Sequence, residues 1–394
     1  MREAYIVSAV RTAIGAFEGS LSGFTAPELG ALVIKEAVKR AGIEGEKVNE
    51  VIMGCVIQAG LGQNAARQAA LKSGLPNSVE CLTINKVCGS GLKAVMLAAQ
   101  AIQTGDADIV VAGGMENMTR APYLMDKLRS GARMGNVPVM DAMILDGLWE
   151  AYYNMHMGNT ADEVSKKYNV SREDQDNYAF LSYQRAKESI EKGYFKDEIC
   201  PVMVPQKKGE PKAFIIDEIY RDTSLESLQS LKPAFSKEGT VTAGNASKLS
   251  DGASALVIMS ADKVKEFSVK PMAKIVAQCA AAWEPMWVLV TPILSIPKCL
   301  KKAGIEEKEI SYHEINDAFA ASSVAVVREL NINTDKVNVR GSAISLGHPI
   351  GASGARVLTT LLYTLRDKGG KYGMASLCLG GGEAVSLIVE NLMS

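Results

Sequence analysis

Residues 36–54 read EAVKRAGIEGEKVNEVIMG, and residues 298–316 read KCLKKAGIEEKEISYHEIN. These two stretches decide the fold. Each begins as a basic amphipathic helix, stops at Ala-Gly-Ile-Glu and continues as an apolar strand. Gly42 and Gly304 suit the left-handed residue that closes a helix. The echo continues downstream. CGSGLKAVMLAAQAI, from Cys88, matches GASGARVLTTLLYTL, from Gly351. Both place Ser-Gly just ahead of an apolar, helix-like run. ADIVVAGGMEN, from Ala107, then matches GMASLCLGGGEA, from Gly373, each a short strand containing or ending in glycines. The matched segments keep their order and lie about 260 residues apart, far too long a period for a solenoid repeat. The chain therefore reads as two copies of one α/β unit, with sheets covered by helices.

The predicted boundaries follow. Residues 1–118 form the N-terminal half, 119–249 an inserted loop domain, 250–269 the end of that half, and 270–394 the C-terminal half. The opening MREAYIVSAVRTAIGAF reads as a strand and lacks the apolar centre of a secretory signal. Within the insert, RSGARMGNVPVMDAMILDGLWEAYYNMHMGNTA is rich in Met, Gly and Tyr without clear periodicity. SREDQDNYAFLSYQRAKESIEKGYF is helical, with a capping-box start at Ser171. Such an insert builds either binding surface or a cap over the core.

Bulk composition narrows the function classes. Of 394 residues, 47% are hydrophobic and the formal net charge is −1, which gives no prior for nucleic acid or an anionic membrane. Mean hydropathy is +0.05, and no apolar run is long enough to span a bilayer. Seven cysteines, at wide spacings and without a CxxC pair, argue against a disulfide framework or a zinc site. A reducing cytoplasm is the expected location. No metal is expected.

Three histidines and a few cysteines stand out as chemistry. Cys88 sits in a turn of small residues ahead of a helix. It is either a packed small residue or a nucleophile whose pKa is lowered by helix-end amides and dipole. Gly89 and Gly91 are then expected to let a substrate approach the backbone. His348, in GSAISLGHPIGASGA, occupies the place in the second copy that Asn85 holds in the first. Pseudo-symmetry can bring the two turns together, and a Cys–His pair is a standard way to hold a thiolate at neutral pH. Cys378 ends an apolar strand and precedes three glycines, whose N–H groups can point at an oxyanion. Asn316, followed by Asp317, is either a helix cap or an amide that orients a water or a carbonyl.

VRTAIGAFEGSL, NKVCGSGLKA, GGMENMTRAP, HMGNTADEVSKKYNVSREDQD, VTAGNASKLSDGA, NDAFA, GHPIGASGAR and CLGGGEA together resemble the thiolase family, and within it the short-chain acetyl-CoA acetyltransferases, nearly end to end. The resemblance implies two similar α/β/α halves in five layers with a loop domain, assembled as a homo-oligomer, expected to be a tetramer. It implies acetyl-CoA, acetoacetyl-CoA and coenzyme A as ligands, with no further cofactor. By the same resemblance Cys88 matches the acylated nucleophile, His348 the base that activates it, and Cys378 the group that moves a proton at the substrate α-carbon. Asn316 matches the holder of an oxyanion water, and the N–H groups of Cys88 and Gly380 match a second oxyanion hole. Arg221 and Ser247 resemble contacts to coenzyme A, while Leu148, His156, Met157 and Phe235 resemble its pocket lining. Ala318 and Phe319 match the acyl and pantetheine wall.

The sequence departs from the family pattern at Asp317, where Glu is usual, and at His313. Lys248 and Ser250 replace a usual Gly and Asn. Trp283 and Trp287 add bulk to a region usually rich in Gly and Pro. These departures bear on chain length and coenzyme A affinity. A 3-ketoacyl-CoA thiolase of broader chain length is the alternative within the family. A ketoacyl synthase shares the fold but pairs its Cys with two His, or with His and Asn, where this chain has Cys378.

Overall fold

The computed structural model of the chain describes residues 2–393. The first copy contributes β1 (Ala4–Thr12), α1 (Ala26–Ala41), β2 (Glu50–Gly54), α2 (Ala65–Lys72), β3 (Glu80–Ile84), α3 (Ser90–Thr104) and β4 (Ile109–Asn117). After α4 (Met157–Lys167) and α5 (Arg172–Glu191) of the insert, β5 (Ser250–Ser260) returns to the first sheet. The second copy runs β6 (Ala273–Ala282), α6 (Pro292–Ala303), β7 (Ile310–Ile315), α7 (Ala320–Glu329), α8 (Ile350–Lys368), β8 (Tyr372–Leu379) and β9 (Glu383–Asn391). Gly42 and Gly304 end α1 and α6 in the left-handed conformation, at φ 67° and 68°. Ser171 starts α5 with a capping box closed by Asp174.

The strands follow the order β7-β8-β9-β6-β1-β5-β4-β2-β3. Reading outward from the centre, β6-β9-β8-β7 mirrors β1-β5-β4-β2, so the duplication is a pseudo-two-fold arrangement. The two half-sheets pair at Tyr5↔Lys274 and Ile6↔Ala273, and Met272 N donates to Ile6 O beside them at 2.8 Å. Among the described residues no strand of the second copy answers β3; an isolated bridge, His313↔Val337, marks its place.

Period-two burial sets five layers. On β4, Val110 and Ala112 join a central core with Leu92, Val95 and Ile102 of α3 and Leu358, Leu361 and Leu365 of α8, and Ala375 and Leu377 of β8 close it from the other side. Ile109 and Val111 face the opposite way, onto Leu29 and Val33 of α1 and Ala66 and Ala69 of α2. On β8, Met374 and Cys378 turn outward onto Ile296 and Leu300 of α6 and Val324 of α7. The order is therefore helices, sheet, α3 with α8, sheet, helices. Residues 350–365 of α8 are all buried, as expected of a helix walled on both sides.

Glycine makes the central layer possible. A Cβ on Gly354 would lie 2.2 Å from Leu92 N, and one on Gly91 2.7 Å from Ala355 N. A Cβ on Gly89 would meet Leu379 Cδ2 at 2.4 Å. The expectation that Gly89 and Gly91 open the backbone to substrate is thus corrected. They let two helices and a strand end approach each other.

Buried charge ties the insert to the first half. Arg11 on β1 binds Glu198 and Asp217 at 2.6 Å each, with all three side chains buried. Removing one partner from such a buried group leaves an uncompensated charge and costs about 3–5 kcal/mol. Trp283 and Trp287 have a comparable role toward the second half. Lys167 Nζ of α4 lies 3.6 Å from the Trp287 ring centroid and 5.1 Å from that of Trp283, a cation–π clamp.

Candidate active site

The pseudo-symmetry sets the heads of α3 and α8 side by side. Cys88 precedes Gly89, the N-cap of α3, and His348 precedes Pro349, the N-cap of α8. The turn before Cys88 is strained: Val87, a β-branched residue, holds φ 45°. The Asn85 carboxamide stabilises it by accepting from Val87 N at 2.9 Å. Ser90 closes the turn, donating to Val87 O (2.7 Å) and accepting from Lys86 N (2.8 Å). Ser353 occupies the matching place on α8. Its hydroxyl donates to Pro349 O (3.0 Å) and meets His348 Nδ1 at 2.6 Å. With its one proton committed to Pro349 O, Ser353 accepts from Nδ1–H. His348 Nε2 is then the unprotonated nitrogen, and it has no protein partner among the described residues. The His348 backbone is held by Ser250 Oγ and Lys248 O.

Cys88, His348, Cys378 and Gly380 line one cavity of about 470 Å³. Leu148, Met157, Ser247, Ala318 and Phe319 also line it. A second chamber of about 660 Å³ shares Leu148, Ser247, Phe319, His348 and Ile350 with the first and adds His156, Phe235 and Lys248. His156 caps α4, its Nδ1 accepting from Gly158 N at 3.0 Å, and stacks on Phe235 with ring centroids 4.7 Å apart. Ser247 is pinned to the far wall by its N–H, which donates to Ala318 O at 2.8 Å.

Electrostatics overturns one expectation. Cys88 is half-buried because its side chain faces the cavity. The walls still crowd out enough water to push its thiol up to about 12. The N–H groups of Cys88 and Gly380 reach the sulfur and oppose this shift without overcoming it. Burial also pushes Cys378 up, with the nearby Cys88 adding to it. His348 falls to about 3, by burial first and then by the positive charge of Arg356. All three groups therefore rest neutral at pH 7, in place of the standing thiolate that the helix-start position suggests.

Not every predicted residue joins this site. Arg221 lines a separate surface pocket with Tyr183, Lys187 and Tyr220. Asn316 follows β7, buried, and neither Oδ1 nor Nδ2 has a protein hydrogen-bond partner among the described residues. It does not cap α7, whose N-cap is Phe319. Asp317 accepts from Ile344 N at 3.3 Å and is pushed up to about 6 by burial. His313 is buried against Glu307, at 3.3 Å.

Three residues escape a reading of motifs. Ser353 lies inside a matched segment, and only the pairing with Ser90 signals its role. Glu116 is an acid in an apolar strand, which is the clue to it. It accepts from Val56 N (3.0 Å), Ile57 N (3.2 Å) and Gly351 N (2.9 Å). It thereby ties β4 to the head of α8. Val87 carries no local signal, since a positive φ is not expected of a β-branched residue.

Two copies of one α/β unit, facing each other across a shared helix layer with a thiol at one helix head and an imidazole at the other, form the architecture of an acyl-transfer fold of the thiolase class. Comparison with known proteins agrees. The family description "Thiolase, N-terminal domain" matches residues 4–262, and "Thiolase, C-terminal domain" matches residues 269–391. The chain belongs to the thiolase family. It is 52% identical to the acetyl-CoA acetyltransferase of Cupriavidus necator, over 99% of this chain and 100% of that protein. To the protein of that name from Schizosaccharomyces pombe it is 47% identical, over 99% of each. The crystal structure of the Bacillus anthracis acetyl-CoA acetyltransferase superposes with a TM-score of 0.97 at 42% identity, covering 100% of this chain and 99% of that one.

Proposed function

We propose that the chain is an acetyl-CoA C-acetyltransferase, catalysing the reversible Claisen condensation of two acetyl-CoA to acetoacetyl-CoA and coenzyme A through an acyl-cysteine. The observation that carries this reading is the convergence of Cys88, Cys378 and a neutral His348 on one small apolar cavity. His348 Nε2, aimed by Ser353, takes the Cys88 proton as the sulfur attacks the thioester carbonyl. The developing oxyanion is met by the N–H groups of Cys88 and Gly380, which already reach the sulfur. Coenzyme A leaves as its thiol, taking the Cys378 proton, so that Cys378 becomes a thiolate while His348 keeps the proton from Cys88. A second acetyl-CoA loses an α-proton to the Cys378 thiolate, its enolate attacks the acyl-Cys88, and the released Cys88 sulfur recovers its proton from His348. The enolate oxygen is held by His348 and a water bound to Asn316, a role that suits its unpaired buried carboxamide. Leu148, Met157 and Phe319 limit the acyl group to a short one. The 660 Å³ chamber, with His156, Phe235 and Ser247, takes the pantetheine arm. Arg221 contacts the nucleotide end, consistent with its place outside both chambers.

Cytoplasmic action belongs to the same proposal, supported by seven free cysteines. So does assembly of four copies: β3 ends its sheet with Leu82 exposed, an edge open to pairing. The test is thiolysis of 3-ketoacyl-CoA of increasing length. Acetoacetyl-CoA is expected to be cleaved fastest. Faster cleavage of longer chains would replace this reading with the degradative 3-ketoacyl-CoA thiolase, and no thiolysis at any length would refute it.

A further inference from the structure

We propose that Glu116 is a positioning residue of the reaction: as a carboxylate it fastens the turn that carries Cys88 and the helix head that carries His348 to one strand end. The inference rests on the reading that these two residues act together on a thioester. Glu116 is fully buried near the end of β4. Its Oε2 accepts from Gly351 N at 2.9 Å and Val56 N at 3.0 Å, and its Oε1 from Ile57 N at 3.2 Å. Cys55 Sγ donates to Oε1 at 3.8 Å. One arm reaches His348, because Gly351 lies in the first turn of α8, just beyond His348 and Pro349. Only glycine fits there, since a Cβ would lie 2.7 Å from Oε2 and 3.0 Å from Met115 O. The other arm reaches Cys88. Val56 O accepts from Asn85 Nδ2 at 3.5 Å, and Asn85 Oδ1 accepts from N of the strained Val87 at 2.9 Å. Val56, Ile350 and Cys88 also pack in one apolar cluster.

The donor set calls for the ionised form. All four groups on the two oxygens are N–H or S–H donors, and a carboxylate only accepts. A proton on either oxygen would turn an O–H toward a donor and release a buried backbone N–H. Burial pushes Glu116 up to about 7, with the backbone donors opposing. The titratable groups that face it are Cys55, from the segment after β2, and Cys88, from the head of α3. Burial raises both thiols, so both are uncharged at pH 7. From β5 and from the head of α8, the residues against it are Gly252 and Gly351. Cys88 and His348 do not titrate between pH 5 and 9, because they lie at about 12 and about 3. A loss of rate near pH 7 therefore arises outside that pair.

An amide of the same shape imitates the protonated acid. With its carbonyl in the place of Oε2, glutamine sets its NH2 against Ile57 N–H; with its carbonyl in the place of Oε1, it sets NH2 against Val56 N–H and Gly351 N–H. Either way the Cys88 turn and the head of α8 lose part of their common anchor. The substrate walls at Met157, Ser247 and Phe319 make no bond to Glu116 and keep their places. Transfer at Cys88 slows while binding holds.

The test compares full-length native protein with Glu116→Gln from pH 5.5 to 8.5. Two steps are followed: thiolysis of acetoacetyl-CoA, and single-turnover uptake of acetyl from acetyl-CoA at Cys88. At pH 8.5 the variant is expected to show kcat about 10–100-fold lower, the effect of one released buried donor, with KM within about twofold. Acetyl uptake should slow by a similar factor. Native kcat should fall reversibly on acidification, with an apparent pKa near 7, toward the variant's value, while the variant's own profile stays flat. Native kcat in the variant, a raised KM with kcat unchanged, or a variant that keeps the native acid limb overturns the proposal. If Glu116→Gln does not fold, native protein and Asp317→Asn, which removes another acid raised by burial, decide. A reversible limb near pH 7 in both supports the proposal, and a native rate flat from pH 8.5 to 5.5, or a limb that Asp317→Asn abolishes, overturns it. Absence of thiolysis by native protein at every pH strikes instead at the proposed function.

Discussion

Substituting Gly354 by Ala sets two effects of opposite sign against each other. Gly354 lies inside α8, where Ala is intrinsically preferred over Gly by about 0.8–1.0 kcal/mol. On propensity alone the substitution stabilises. The added Cβ would stand 2.2 Å from Leu92 N, 2.9 Å from Leu92 Cβ and 3.0 Å from Leu92 Cα. These are atoms of the facing helix and cannot swing aside as a flexible side-chain end does. Overpacking costs about 1–3 kcal/mol and more where backbone must move, so a gross cost of about 4 kcal/mol leaves a net loss of about 3. For a chain of 394 residues, the unfolding entropy scales to about 0.8 kcal/mol per kelvin. The apparent melting midpoint should therefore fall by roughly 4 °C. Thiolysis should fall too, because α3 and α8 carry Cys88 and His348 at their heads and would be wedged apart just inside them. Thermal unfolding beside steady-state thiolysis measures both. An unchanged or raised midpoint would refute the claim that the glycine exists for helix approach.

Other outcomes follow from the same geometry. Arg11→Met should destabilise by about 3–5 kcal/mol, read from denaturant unfolding, because it takes the cation from buried Asp217 and leaves Glu198 with Arg340 at 3.9 Å. Alkylation of Cys88 by iodoacetamide should rise about tenfold per pH unit from pH 7 to 10 without a plateau, since the thiol is raised to about 12 and only the thiolate reacts; a plateau below pH 8 would show a standing thiolate. Ser353→Ala should fold normally but lower kcat about 10–100-fold, the worth of one hydrogen bond to the imidazolium that forms, about 1.5–3 kcal/mol; unchanged kcat would mean that His348 is aimed by something else. Cys378→Ala should still take up acetyl at Cys88 and fail to condense, and normal condensation by that variant would remove Cys378 from the proton transfer.

The duplication is legible from the chain alone because helix stops and strand patterns are local. Gly42 and Gly304 close their helices at nearly the same φ, as the Ala-Gly-Ile-Glu echo leads one to expect. The meeting of Cys88 with His348 is legible through the symmetry of the two copies. What the chain does not disclose is tertiary. The neutrality of Cys88 depends on walls contributed by distant segments, including Leu148, Val288 and Phe319, and a helix-start argument sees only the nearest amides. Gly89 and Gly91 look like substrate-facing glycines until Leu379 and Ala355 are found against them. Arg221 falls within the coenzyme A motif region, yet its pocket is a different one. Glu116 reads as one acid in a glycine-rich strand end, and its three backbone donors come from two other segments.

The central claim is that Cys88 carries the acyl group. Brief incubation with acetyl-CoA at pH 7, followed by intact-mass measurement with and without hydroxylamine, tests it most directly. The account predicts one acetyl group per chain, removed by hydroxylamine as a thioester is, and absent from Cys88→Ser. An unmodified mass in folded protein, or a labile acetyl group that persists in Cys88→Ser, would contradict it.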